Sequence, residues 1–177
     1  MKTHLTYGIG ITIGTSLVTL VLFFTGLHND PAKLSIAGWV GGLLSVAIYL
    51  TGLVYGVKAV RAEVPEGKPF GYGQALGHAL LISLVAIAAG LAFQYLYETV
   101  INPGYVQATL AAQRAKMEAK GMSDTQVDNA MAMMKKFSTP LAHAIFGFIF
   151  LAVFDVISCL IAAAFLTRKD PDAAVSL

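Results

Sequence analysis

The chain has 177 residues, of which 56% are hydrophobic and only 12% charged. Soluble domains carry roughly 25% charged residues, so an aqueous globular fold is excluded as the first reading. The net charge of +2 comes without a basic run, which argues against nucleic acid, and the single Cys159 excludes an intramolecular disulfide and a thiolate metal site.

The first apolar run is Leu5 to Leu27. Lys2 before it resembles the start of a signal peptide, but the run is too long and lacks a small-x-small cleavage pattern, so it reads as a retained helix. Asn29, Asp30 and Pro31 then supply turn chemistry. The second span is residues 35–60, with Trp39 near one end and Tyr55 near the other, as interfacial anchoring requires. Gly38, Gly42, Ser45, Gly52 and Gly56 recur at steps of three, four and seven, with Tyr49 on the same stripe. Small residues at such spacing let two helix backbones approach closely, and this stripe is the expected packing face.

A short polar loop with Pro65, Gly67 and Pro69 leads to the third span, residues 73–98, which stops at Asn102-Pro103-Gly104. The segment 105–139 is polar enough to lie outside the bilayer. It has no helix breaker up to Lys120. Gly121 suits a C-cap, Ser123 with Gln126 matches a capping box, and Val127, Ala130, Met131, Met134 and Phe137 follow at helical spacing. Two short amphipathic helices are expected there, forming a hairpin. Five of the six methionines fall in this segment. Thioethers select Cu(I), but adaptable apolar packing explains them without a metal.

The last span, residues 141–167, opens after Pro140 and is followed by Arg168 and Lys169. Its centre carries Asp155, a residue that costs roughly 2.5–3.5 kcal/mol to place mid-membrane. Asp155 must therefore face other helices or water. At equal depth it meets Tyr49, and these two form the expected intramembrane polar pair, either as a packing hydrogen bond or as one step of a proton path. A second polar group, Gln94, Glu98 and His143, gathers at the outer level, with His28 and Asp30 in the nearby loop. No local ligand spacing supports a metal there, and His4 and His78 lie at the opposite face. No cofactor motif or nucleophile–base motif appears. Gly8 and Gly71 each open a Gly-x-Gly-x-x-x-Gly, at an offset of 63, but the helices that follow do not keep the offset, so chance glycine spacing explains the match.

Four spans put both termini on one side. Six basic residues fall on each side, but Lys2, Lys58, Arg61, Lys68, Arg168 and Lys169 crowd the helix ends, which places the termini in the cytoplasm.

The segment GKPFGYGQALGHA after the basic loop, Tyr97-Glu98 before Asn102-Pro103-Gly104, the helical insert, and Ile161-Ala162-Ala163-Ala164-Phe165 before Arg168-Lys169 together resemble the small membrane proteins numbered four-one-nine-nine in the domain-of-unknown-function series. That resemblance covers nearly the whole chain. It implies a bacterial inner-membrane protein of unassigned activity and supplies no catalytic residues. The expectation is one all-α membrane domain, a four-helix bundle with an extramembrane hairpin. Its expected role is non-enzymatic and accessory or structural, in contact with the bilayer and with a membrane-protein partner or further copies of itself. The alternative is a small oligomeric transporter or proton conductor using Asp155.

Overall fold

The computed structural model describes residues 1–65 and 67–168, with residues 140, 141, 143 and 144 described by their backbone alone. The described chain is helical: α1 (Lys2–Phe24), α2 (Leu34–Glu63), α3 (Tyr72–Leu96) continued by a π-helical turn (Tyr97–Ile101), α4 (Tyr105–Ala119), α5 (Asp124–Phe137) and α6 (Pro140–Leu166). Among the described residues four stretches are long and apolar enough to cross a membrane: Lys2–Phe24, Leu34–Glu63, Tyr72–Ile101 and Ile145–Leu166. At 1.5 Å per residue the 30-residue α2 alone rises about 45 Å. Large apolar side chains stay exposed along all four, among them Leu17, Leu43, Leu84 and Phe150. Such surfaces suit hydrocarbon rather than water, and a multi-pass membrane protein follows.

Local chemistry sets the boundaries. α1 ends because Gly26 takes φ +75°, while Leu27 N donates to Leu22 O and Gly26 N to Phe23 O, a Schellman closure. Gly121, at φ +75°, closes α4 in the same way, with Met122 N on Met117 O. The capping box of α5 forms, Ser123 N donating to Gln126 Oε1 at 3.0 Å.

The chain divides into two compact units, and each long helix contributes residues to both. The first unit comprises Met1–Thr15, Val46–Gly90 and the chain from Ile149. Its core buries Leu53, Val57, Phe70, Ile82, Cys159 and Ala163. Glycines allow close approach here: a side chain at Gly52 would strike Ile11, and one at Gly56 would meet Ile82 and Tyr7. The ends of the helices in this unit are tied together. Phe70 and Arg168 exchange backbone hydrogen bonds of 3.0 and 2.9 Å, and the Arg168 guanidinium donates to the carbonyls of Val64, Pro65 and Lys68. Arg61 donates to Leu166 O at 3.3 Å, and the Thr3 hydroxyl donates to Glu63.

The second unit comprises Ser16–Ser45 and Leu91–Phe148. Within it Gly41 packs on Leu22, whereas a side chain at Gly38 or Gly42 would meet nothing within 4 Å, and Ser45 is half-buried. The small-residue stripe of α2 is thus used at Gly52 and Gly56, and its other end is exposed. A separate small core joins α4 and α5: Leu110, Val127 and Met131, with Met117, Met122 and Met134 packed against them. Arg114 fastens the pair, reaching Glu118 at 2.9 Å and Asp128 at 3.1 Å.

Candidate functional site

Two buried polar groups stand out, one in each unit. In the first unit, Asp155 sits mid-way along α6 with only 5% of its surface exposed. Its carboxyl lies beside the Tyr49 hydroxyl of α2. Tyr49 Oη lies 2.7 Å from Ser83 Oγ of α3, and Ser83 Oγ lies 3.2 Å from Cys159 Sγ, one turn beyond Asp155. The result is a hydrogen-bonded chain across three helices in an otherwise apolar core. Nearby, Thr12 Oγ1 donates to the Ala86 carbonyl at 3.1 Å, so α1 also gives a polar group to α3. The register of the sequence explains the arrangement: Asp155 and Cys159 are four residues apart and share a helix face. Ser83 lies in an apolar run whose composition does not mark it out, and it is the link that sequence reasoning missed.

The second group is built on the π-helical turn. Within the π-helical turn at Tyr97–Ile101 the consecutive residues Tyr97 and Glu98 are both buried, at 0% and 5% exposure. Asn102 Nδ2 donates to Asn29 Oδ1 and to Tyr97 Oη, both at 3.1 Å, and Tyr97 Oη lies 2.7 Å from His28 Nδ1. The Asn102 NH2 donates to the Tyr97 oxygen, which leaves the Tyr97 hydroxyl hydrogen free to reach His28 Nδ1 when the ring hydrogen of His28 is on Nε2. The Tyr105 ring tilts against His28 at 5.1 Å and stands edge-on to Tyr97 at 5.5 Å. Gln94 Nε2 donates to Glu98 Oε1 at 2.7 Å. Of the other outer-level residues, the side chain of His143 lies outside the described residues, and Asp30 turns to Lys33 at 3.2 Å and to the Ala32 amide. Those two contacts, the backbone amide first, hold the Asp30 carboxyl below its ordinary range.

Burial lowers the His28 pKa from its ordinary 6.5 and raises that of Tyr105. Folding therefore excludes a proton from His28 that the unfolded chain accepts below about pH 6.5, and stability falls as pH drops through that value towards the folded pKa. Thermal unfolding in detergent at pH 5 and pH 8 checks this: the midpoint is expected to be lower at pH 5, and His28→Gln to reduce the difference. An equal pH dependence in both proteins would remove His28 as its source.

A third contact pairs the two histidines that the sequence placed at the same membrane face. His4 Nε2 and His78 Nδ1 lie 2.8 Å apart, and His78 stacks on Phe70 at 6.0 Å. Among the described residues no group of three or more histidine, cysteine, aspartate or glutamate side chains is placed to hold a metal ion.

Comparison with known families adds one finding. The family described as Protein of unknown function (DUF4199) matches residues 6–168. The chain belongs to this family. Among curated proteins and among solved structures, nothing matches it. The match extends from within α1 to Arg168, so both polar groups and the ties made by Arg61, Phe70 and Arg168 lie inside the family's extent. A membrane protein of unassigned activity fits this family and the four apolar stretches.

Proposed function

We propose that the chain is a non-enzymatic accessory or structural protein of the bacterial inner membrane. It forms one domain of four spanning helices, with both termini in the cytoplasm and α4–α5 as an extramembrane hairpin. The observation that carries this reading is the α4–α5 pair. It has its own apolar core and its own ion pairs, yet Met133 and Phe137 remain more than half exposed. A self-supporting element with apolar side chains left at its surface suits contact with a membrane-protein partner or another copy. In this reading the Asp155–Tyr49–Ser83–Cys159 chain is glue. Every member is buried, and among the described residues no buried side-chain nitrogen or oxygen lacks a partner.

The native mass of the protein in mild detergent, with identification of everything that co-purifies, tests the proposal. A stoichiometric foreign protein lost on deleting residues 105–139 supports it. A second reading, proton or ion conduction, draws on the same hydrogen-bonded chain, because a buried carboxyl linked to two hydroxyls is also a proton relay. Asp155→Asn separates the two. As glue, Asp155 gives way to asparagine with a shift of about 1 kcal/mol in stability and no change in flux. A conductor instead loses proton flux in liposomes with its stability little changed.

A further inference from the structure

We propose that the face shared by α1 and α2 in the first unit is a binding site for an anionic glycerophospholipid. A shallow open groove of about 620 Å³ runs between the two helices, within the 300–1,000 Å³ typical of small-molecule sites. Thr6 and Gly10 line it from α1, and Ala47 and Thr51 from α2. All four belong to stretches long and apolar enough to cross a membrane, which puts the groove on a face suited to hydrocarbon. The groove exists because of glycine: a side chain at Gly10 would meet nothing within 4 Å, and would project into the space.

Helical register carries both walls to a cationic mouth. On α1, Lys2 lies one turn before Thr6, and the Thr6 hydroxyl donates to the Lys2 carbonyl at 3.0 Å. On α2, Tyr55 and Lys58 follow Thr51 by four and seven residues, and the Lys58 ammonium stands 5.5 Å from the centre of the Tyr55 ring. Lys2, Tyr55 and Lys58 are all exposed, and none of the ion pairs among the described residues involves either lysine. Glu63, the described carboxylate next along α2, is turned roughly 140° away from Lys58 around the helix and accepts the Thr3 hydroxyl. An apolar cleft at acyl-chain depth that opens at two ammonium groups matches one ligand: apolar tails attached to a phosphate. Juxtamembrane lysines favour such headgroups over zwitterionic ones.

Native mass spectrometry of the full chain in mild detergent tests this, using equimolar phosphatidylglycerol and phosphatidylcholine as probes. Wild type is expected to retain phosphatidylglycerol preferentially, with about a fivefold loss of preference for each of Lys2→Gln and Lys58→Gln. Gly10→Leu fills the groove and is expected to abolish retention of both lipids at an unchanged unfolding midpoint. Equal retention of the two lipids by wild type, or full retention by Gly10→Leu, overturns the proposal. Displacement of the lipid by soluble glycerol 3-phosphate would show a phosphate site without tail recognition and overturns it as well. A dimer that Gly10→Leu converts to monomer would show that a second copy occupies the groove, which likewise overturns the proposal.

Discussion

Tyr97→Ala is expected to cost about 3–5 kcal/mol, the range for deleting a buried aromatic ring, and to be among the most damaging single changes in the chain. Tyr97 is fully buried at the start of the π-helical turn, ringed by Phe23, Phe93, His28 and Tyr105 at centroid distances between 5.5 and 6.1 Å. Alanine would empty the middle of that cluster, strand His28 Nδ1 where little water can reach it, and leave the Asn102 NH2 with Asn29 alone. Tyr97→Phe keeps the ring and removes only the hydroxyl, so it is expected to cost about 1–3 kcal/mol through those partners alone. Denaturant or thermal unfolding of the three proteins in one detergent measures both steps. If Tyr97→Phe proved as costly as Tyr97→Ala, hydrogen bonding rather than ring packing would dominate, contrary to this account.

The second large effect is predicted at Gly8. A methyl group there would lie 2.6 Å from Val85 Cβ and Cγ1, and 2.9 Å from the carbonyl oxygen of Ile82. A backbone oxygen cannot rotate away as a side chain can, so α1 and α3 would have to separate. Overpacking of this kind costs about 1–3 kcal/mol, and the shift would also lengthen the 3.1 Å bond from Thr12 to Ala86 O. Gly10→Ala is the matched control. It lies two residues along the same helix facing open space, and better helix propensity predicts no loss and a gain of up to about 1 kcal/mol. Equal stability of the two variants would mean that the α1–α3 contact is looser than the packing around Gly8 indicates.

The sequence carried the helices far better than their cross-contacts. Long apolar runs bounded by Asn29-Asp30-Pro31 and Asn102-Pro103-Gly104 leave little choice but spanning helices, and Gly121 with Ser123 and Gln126 marks the break between α4 and α5 to the residue. Register along one helix is likewise readable, because Gly52 and Gly56 follow from the helical period. Which end of that stripe would be used was not readable. Gly38, Gly42 and Gly52 look alike in one dimension, and only the partner helix shows that Gly52 and Gly56 are the contact points and that Gly38 and Gly42 are open. The π-helical turn was not readable, since the β-branched run Thr99-Val100-Ile101 weakens a helix without specifying a π-turn. Links between distant residues, Tyr49 to Ser83 or His4 to His78, are pairings of single polar groups across helices, and no periodicity within either helix encodes them.

The clasp between residue 70 and residue 168 sets a timetable for biogenesis. Ribosomes deliver the chain from its first residue onward, so the loop after α2 leaves the ribosome long before its fastener is made. Until then the carbonyls of Val64, Pro65 and Lys68 must be served by water or lipid headgroups, and the ends of α2 and α3 can still adjust. Arg168 arrives last and reaches all three carbonyls together, while its own backbone pairs with Phe70. The order of synthesis thus makes this unit's closure coincide with completion of α6, and a chain stalled before residue 168 would present an unlatched loop to membrane quality control.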